Sequence, residues 1–257
     1  MQNPEIRRTS HAEIDPGVKG LVGFIAETSR ALRDEGIPIG DDGRVDMHAY
    51  RLFYGKAAEA DLANSSDILS PDRLVTDGEK LEILALAILR KNLGADFFVA
   101  RSAPHDDKVH HVDTVIFDRR TGALVCAFDE VSAMSGADYE KKQAIITKQN
   151  VDGGGANLKY GFRLEVNDDR KRIVPDEVAH VPLFYIALPK DRIEKGIREF
   201  TLDPVRQSDF ESKLFTYFVS AIALQIQAIK LYERRLNPEF ARRLQDFSKV
   251  IELFRGK

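Results

Sequence analysis

The chain has 257 residues, of which 43% are hydrophobic and 31% charged, so its composition is globular rather than disordered. Its 38 basic and 41 acidic residues give a net charge of −3, which excludes a histone-like polycation but allows a local basic surface. The single cysteine, Cys126, excludes an internal disulfide and a cysteine-rich zinc cluster. The sequence has neither the apolar run of a signal peptide nor one of membrane length, so we expect a cytoplasmic protein without a membrane partner.

Residues 1–75 predict an N-terminal helical region. Apolar side chains recur at helical spacing over 18–34, and a glycine and a proline end that helix at 36 and 38. A second helical stretch is predicted over about 46–64. The serines, asparagines and aspartates of 64–72 favour turns, so we expect a linker there.

Residues 76–190 predict an α/β core. It begins with a capping box formed by Thr76 and Glu79, at the start of a helix that extends to about Leu93. Three short apolar runs then predict strands, the last two of them joined as a hairpin: 96–101, 109–118 and 123–131. The rest of the region predicts a helix, a second hairpin and a buried strand: 136–151, 158–178 and 181–188.

Residues 191–257 predict a C-terminal helical region, with a long helix over 209–232 and a last helix that opens at Pro238. From Lys230 onward eight residues are basic and four are acidic, so this segment carries a local excess of positive charge. Two arginine pairs of this segment are candidate phosphate contacts, or else part of a solvated helix face: Arg234 with Arg235, and Arg242 with Arg243.

Two acids of the core lie among apolar strand residues. Asp113 falls inside the run 109–118, and Glu130 lies near the end of the following run. Antiparallel neighbours joined by a short turn can bring both carboxylates to one end of the sheet, where they need a positive partner to offset lost hydration. A divalent cation such as Mg²⁺ meets that need, because it takes oxygen ligands and often uses only one or two carboxylates.

At these positions the sequence resembles the PD-(D/E)xK nuclease superfamily, whose fold is restriction-endonuclease-like. That family has an Asp on its second core strand, a (D/E)-x-K tripeptide on the third, and often a glutamate on the preceding helix. Asp113 matches the first acid, and Glu130-Val131-Ser132 matches the tripeptide without its lysine. Glu82, or else Glu79, matches the helix glutamate. The resemblance implies an α/β fold with a mixed sheet core flanked by N- and C-terminal helices.

The family can move its lysine onto the helix after the third strand. Lys141, Lys142 and Lys148 lie on that predicted helix, and we favour Lys142; Gln143 resembles a glutamine of some branches. A shifted register would take Asp129-Glu130-Val131 as the tripeptide, again without a lysine.

The resemblance implies an endonuclease that hydrolyses DNA phosphodiesters with Mg²⁺, or alternatively Mn²⁺, held by Asp113, Glu130 and Glu82. Lys142 would orient the attacking water and stabilise charge on the phosphate. One alternative is a catalytically inactive nuclease fold that binds nucleic acid or a protein partner. Another is an unrelated, metal-free α/β protein whose two acids point apart. The sequence leaves a homodimer open.

A zinc site formed by histidines is disfavoured at this stage. His105, His110 and His111 lie near acids, which is a composition that zinc sites use. However, His110 and His111 are adjacent on a predicted strand, so their side chains should point to opposite faces. Cys126 has apolar neighbours and is predicted to be a buried core residue.

Overall fold

The computed structural model describes residues 15–51, 55–64, 75–167 and 170–255. The linker predicted at 64–72 therefore lies, beyond its first residue, outside the described residues. The α-helices of the described residues are α1 Pro16–Asp34, α2 Lys56–Asn64, α3 Asp77–Leu93, α4 Pro104–His110, α5 Ala137–Val151, α6 Lys190–Glu199, α7 Asp209–Lys230 and α8 Pro238–Arg255. The strands are β1 Phe97–Arg101, β2 Thr114–Asp118, β3 Leu124–Val131, β4 Ala156–Asn167, β5 Arg170–Val181 and β6 Leu183–Ala187.

Within the described ranges the central sheet has the order β1-β2-β3-β6. The pairs β1–β2 and β2–β3 are antiparallel, whereas β6 runs parallel to β3 after a crossover that contains α5, β4 and β5. The strands β4 and β5 form a separate antiparallel hairpin. The mixed α/β class predicted from the sequence is confirmed.

Helix α3 lies at the centre of the larger hydrophobic core. The predicted capping box is present, because Thr76 Oγ1 accepts from the Glu79 N–H while Glu79 Oε2 accepts from the Thr76 N–H. From Leu81 to Leu93 most of its residues are buried, against α1, α6, α7 and one face of the sheet. The other face of the sheet packs against α5 and the β4–β5 hairpin. The sheet is therefore covered on both faces, and its functional groups have to emerge at the ends of its strands.

Helix α7 is long and apolar enough, by length and composition alone, to cross a bilayer. Buried helices of globular proteins meet the same criterion. Here α7 contacts α3, α8 and β6, and its residues Leu214, Phe218 and Ile222 are buried in the core. Packing of this kind accounts for the apolar composition of the helix.

Both edges of the central sheet are occupied by groups from outside it. At β1 the N–H of Arg101 donates to the Gly43 carbonyl at 2.8 Å, and its carbonyl accepts from the Val45 N–H at 3.0 Å. At β6 the side-chain amide of Gln225 bonds twice to the backbone of Tyr185, accepting from its N–H at 3.0 Å and donating to its carbonyl at 2.9 Å. The backbone groups of these two edge residues are thus satisfied within the chain.

The strand predicted over 109–118 is wrong in its first half, because Pro104–His110 forms α4 and β2 begins only at Thr114. A proline in the first turn, followed by acidic residues there and basic ones in the last turn, favours this helix. The helix ends at His111, which has a left-handed backbone with φ of 55°. His110 and His111 are therefore not neighbours on a strand, and the opposite orientation of their side chains expected from a strand does not apply.

The helical stretch predicted over 46–64 is also corrected. The structure divides it into a short 3₁₀ helix at Met47–Tyr50 and the helix α2, while residues 52–54 lie outside the described part. Asp46 caps the 3₁₀ helix by accepting from the N–H of His48. Before α2, Gly55 has a positive φ of 53°, a backbone conformation that interrupts a helix.

Candidate metal centre

Asp113 is fixed where the start of β2 lies beside the end of β3. It immediately precedes β2, and its N–H donates to the carbonyl of Phe128 at 2.8 Å. Its carboxylate accepts from the backbone N–H of Glu130 at 2.8 Å. The side chain is therefore held at the end of β3 by a backbone donor, which fixes its position without neutralising its charge.

Asp129 and Glu130 are consecutive on β3, so their side chains point to opposite faces of the sheet. Asp129 shares the face of Ala127, on which α5 packs, and its carboxylate lies 2.5 Å from Lys142 Nζ. Glu130 shares the face of Phe128, which packs against α3. Both acids are buried, at 2% and 6% exposure. The end of β3 thus presents one acid to each neighbouring helix.

Lys142 is the lysine that reaches the acids. It is half-buried and contacts Asp129, whereas Lys141 and Lys148 are exposed on the same helix. Gln143, beside Lys142, donates to the Tyr185 hydroxyl at 2.6 Å and so links α5 to β6. The structure thus brings Lys142 to Asp129, the acid on the α5 side of β3.

The three acids at the end of β3 are hard to ionise together. Loss of hydration, with the nearby charges of Asp129 and Asp107, raises the pKa of Asp113 to about 7. Burial also raises the pKa of Asp129, although Lys142 opposes the change. Burial and the charge of Asp113 raise the pKa of Glu130 well above its usual value. One lysine does not balance three carboxyl groups, so the site favours an additional cation.

On the α3 side, Glu82 forms an ion pair with the buried guanidinium of Arg101. Burial raises the pKa of Glu82 despite this partner. Arg101 Nε and Nη1, Thr114 Oγ1 and both carboxylate oxygens of Glu130 are buried without a hydrogen-bond partner among the described residues. The Thr114 hydroxyl lies near enough to Glu130 to oppose its pKa shift, but not in hydrogen-bonding geometry.

These unpartnered oxygens bear on the metal that the sequence predicts. Buried polar atoms normally have partners, so a group of them indicates room for water or an ion. Arg101 is already paired with Glu82, and neither carboxylate oxygen of the buried Glu130 has a hydrogen-bond partner among the described residues. Carboxylate oxygens of this kind are the ligands that Mg²⁺ prefers, and the residues present therefore fit that ion. We call Glu82, Asp113, Asp129, Glu130 and Lys142 the carboxylate site.

Glu79, the alternative helix glutamate, does not belong to the carboxylate site. Its carboxylate accepts from the backbone N–H of Thr76 at 2.8 Å and from the Thr76 hydroxyl at 2.9 Å. This side chain therefore serves the start of α3. Glu82, by contrast, interacts electrostatically with Asp113.

The sequence analysis missed Asp107, which lies on α4. Its charge raises the pKa values of Asp113, Asp129 and Glu82, so it faces the carboxylate site. Arg44 pairs with it, with Nη1 2.9 Å from the Asp107 carboxylate. The signal in the sequence was Pro104, because a proline at this position favours the start of a helix that would contain Asp107.

The structure does not bring the predicted DNA-binding arginines to the carboxylate site. Arg235 pairs with Asp152 at 2.5 Å, and Arg242 with Glu239 at 2.6 Å. Arg243 donates to the carbonyl of Leu124, the first residue of β3, at 3.0 Å. The acids lie at the other end of that strand, roughly 20 Å away at 3.3 Å per residue. Arg234 lies with Arg235 on a 3₁₀ helix at Glu233–Arg235.

No family model, no curated protein and no solved structure matches this chain.

Proposed function

We propose that the chain is a Mg²⁺-dependent phosphodiester hydrolase that acts on DNA, an endonuclease of PD-(D/E)xK type with a restriction-endonuclease-like core. The observation that carries this proposal is the 2.5 Å contact between Lys142 Nζ and Asp129, beside Asp113 and at the end of β3. A lysine at the paired acids is the group that the sequence motif lacks at its usual position.

The order of elements supports the same proposal. The helix α3, which carries a glutamate, precedes the antiparallel strands β1, β2 and β3, with α4 between the first two. The chain then passes through α5 and the β4–β5 hairpin to the parallel strand β6. Asp113 stands at the second of these strands and Asp129 at the third, which is where the resemblance expects the two acids. Glu82 on α3 interacts with Asp113, as expected for the helix glutamate.

Asp113 would hold Mg²⁺ either with Asp129, on the α5 side of β3, or with Glu130 and Glu82, on its α3 side. When bound, the ion would polarise the scissile phosphate and make an attacking water more acidic. Burial lowers the pKa of Lys142, but the neighbouring acids, Asp129 first, raise it above its usual value. The ammonium therefore stays protonated at neutral pH and can donate to a phosphate oxygen on which negative charge develops.

The first experiment compares lysine variants in a plasmid-nicking assay with Mg²⁺, with Mn²⁺ and with a chelator. Lys142→Met should lower the cleavage rate by about 10²- to 10³-fold, because it removes a donor to the developing charge. Lys141→Met is the matched control, since Lys141 is the exposed neighbour on the same helix and should be dispensable. Equal rates for the two variants would remove Lys142 from the mechanism.

A second pair of variants distinguishes the two motif registers. Asp129→Asn removes the acid that contacts Lys142, and Glu130→Gln removes the acid that faces α3. We expect Asp129→Asn to abolish Mg²⁺-dependent cleavage and Glu130→Gln to reduce it while keeping the fold. If instead Glu130→Gln abolished cleavage and Asp129→Asn only reduced it, the tripeptide would begin at Glu130.

The outcome also decides between the enzyme and the alternative that the sequence left open. DNA binding without cleavage by the wild-type chain, in any divalent metal, would favour an inactive nuclease fold that binds nucleic acid. If the wild-type chain neither binds nor cleaves DNA, the enzyme and the inactive nucleic-acid-binding fold are both excluded.

A further inference from the structure

A second group of metal-ligand side chains lies on α4. The ligand atoms of His105, Asp106 and His110 all lie within 4.8 Å of one another. His110 follows Asp106 by one helical turn, and its Nε2 is 3.9 Å from Asp106 Oδ1. Two ligands of one tetrahedral ion at about 2 Å each lie about 3.3 Å apart, so this pair has to close by roughly half an ångström.

Asp106 is positioned by the hairpin that packs on α4. It has no exposed surface, and its two oxygens accept from the backbone N–H groups of Lys159 and Tyr160, at 2.9 and 3.0 Å. A carboxylate oxygen that accepts one hydrogen bond keeps a second lone pair for a cation. The buried carboxylate is therefore fixed in direction while retaining the capacity to bind an ion.

Asp61 of α2 lies beside this cluster. Its Oδ2 is 3.4 Å from His105 Nδ1 and also accepts from Lys159 Nζ and the Tyr160 hydroxyl, at 2.7 and 2.6 Å. A carboxylate next to one ring nitrogen of a histidine directs the other nitrogen towards a metal, an arrangement common around bound zinc. Asp61 thus fits the role of orienting His105 so that its Nε2 is left for an ion.

We propose that His105, Asp106 and His110 form a binding site for a single Zn²⁺ ion. Two imidazoles and one carboxylate are ligands that zinc accepts and that Mg²⁺, which takes oxygen ligands, does not prefer. The ion would join α4 to β4 through Asp106, whose backbone partners lie on that strand. The proposal is independent of the proposed function, because none of these three residues belongs to the carboxylate site.

The test is zinc uptake by the full chain after removal of bound metals with a chelator. With Mg²⁺ in excess, to occupy oxygen-only sites, the wild-type chain should take up one Zn²⁺. Its affinity is measured by competition with a chromophoric chelator. Co²⁺ in place of Zn²⁺ should give the visible absorption of a tetrahedral ion.

Variants identify the ligands. His105→Gln and His110→Gln should each lower zinc affinity at least about tenfold, and Asp61→Asn about 10- to 100-fold. His111→Asn is the matched control, because His111 is the exposed neighbour of His110 and asparagine tolerates its left-handed backbone. In chelator, His110→Gln and the wild type should have the same Tm. Added Zn²⁺ should raise the Tm of the wild type but not that of His110→Gln.

Three results would overturn the assignment. One is the absence of zinc uptake by the wild-type chain. Another is an equal loss of affinity in His111→Asn and His110→Gln, which would mean an adventitious surface chelate. The third is loss of zinc uptake in Asp129→Asn, which would place the ion in the carboxylate site. Failure of DNA cleavage, by contrast, would leave the zinc measurement unaffected.

Discussion

Replacing Asp113 with asparagine should stabilise the metal-free protein above neutral pH. The amide keeps the side-chain oxygen that accepts from the Glu130 N–H, so the geometry at the end of β3 is retained. It removes a carboxyl group that burial and neighbouring acids make difficult to ionise. The wild type must ionise this group as the pH rises, whereas the variant does not.

The size of the effect follows from the pKa of Asp113, which is raised from 3.8 to about 7. A group with a raised pKa stabilises the fold fully below its unfolded pKa, and that contribution is lost as the pH rises through the folded one. A shift of about three units corresponds to about 4 kcal/mol by pH 8, of which roughly 2.5 kcal/mol develops between pH 5 and pH 8. Asp129 and Glu130 keep part of the repulsion in the variant, so we expect a gain of about 1–4 kcal/mol.

Thermal unfolding at pH 5 and at pH 8, in chelator and in Mg²⁺, measures this effect. For a chain of this size each kcal/mol corresponds to about 3 °C in Tm, so Asp113→Asn should gain several degrees at pH 8 and much less at pH 5. Mg²⁺ at about 100 times its Kd should stabilise the wild type by about 2.7 kcal/mol, and the variant far less.

Asp96→Asn makes the same chemical change at an exposed position and should leave the pH dependence unaltered. A parallel pH dependence in the wild type and Asp113→Asn, or a less stable variant at pH 8, would refute the reasoning. Either result would mean that Asp113 is already balanced by its surroundings.

Two further predictions concern stability and DNA binding. Lys91→Ala should destabilise the fold by about 3–5 kcal/mol in urea unfolding, because Glu211, 1% exposed, would lose its ammonium partner at 2.6 Å; a loss below about 1 kcal/mol would contradict this. Arg242→Gln should reduce the slope of log Kd against log salt by about 0.9 if this exposed guanidinium contacts DNA. Arg243→Gln should instead lower Tm and leave the slope unchanged, because its guanidinium holds the carbonyl of Leu124.

The elements with strong local signals could be predicted from the sequence. The capping box at Thr76, the hairpin turn before β3 and the glycine before α5 mark boundaries that the structure reproduces within a few residues. Each depends on residues within one turn of the boundary, so periodicity and capping suffice. The same holds for Pro238, which opens α8.

The parts that could not be predicted depend on tertiary contacts. Helix α4 has only seven residues, and the apolar run that follows it concealed its end at His111. Choosing between Asp129 and Glu130 required knowing which face of β3 meets α5, and a strand pattern alone does not tell the two faces apart. Asp107 acts across space on Asp113, and no spacing in the sequence indicates that proximity.

The hydrogen bonds of Gln225 with Tyr185 have a consequence for the behaviour of the protein in solution. An outer strand with unused N–H and C=O groups can pair with a strand of another molecule, and such pairing is a route to aggregation. Here the side-chain amide of Gln225 already bonds both backbone groups of Tyr185, the central residue of β6. The backbone of Gly43 and Val45 bonds both backbone groups of Arg101, the last residue of β1. A second chain that approached either edge would have to break these bonds before it could extend the sheet.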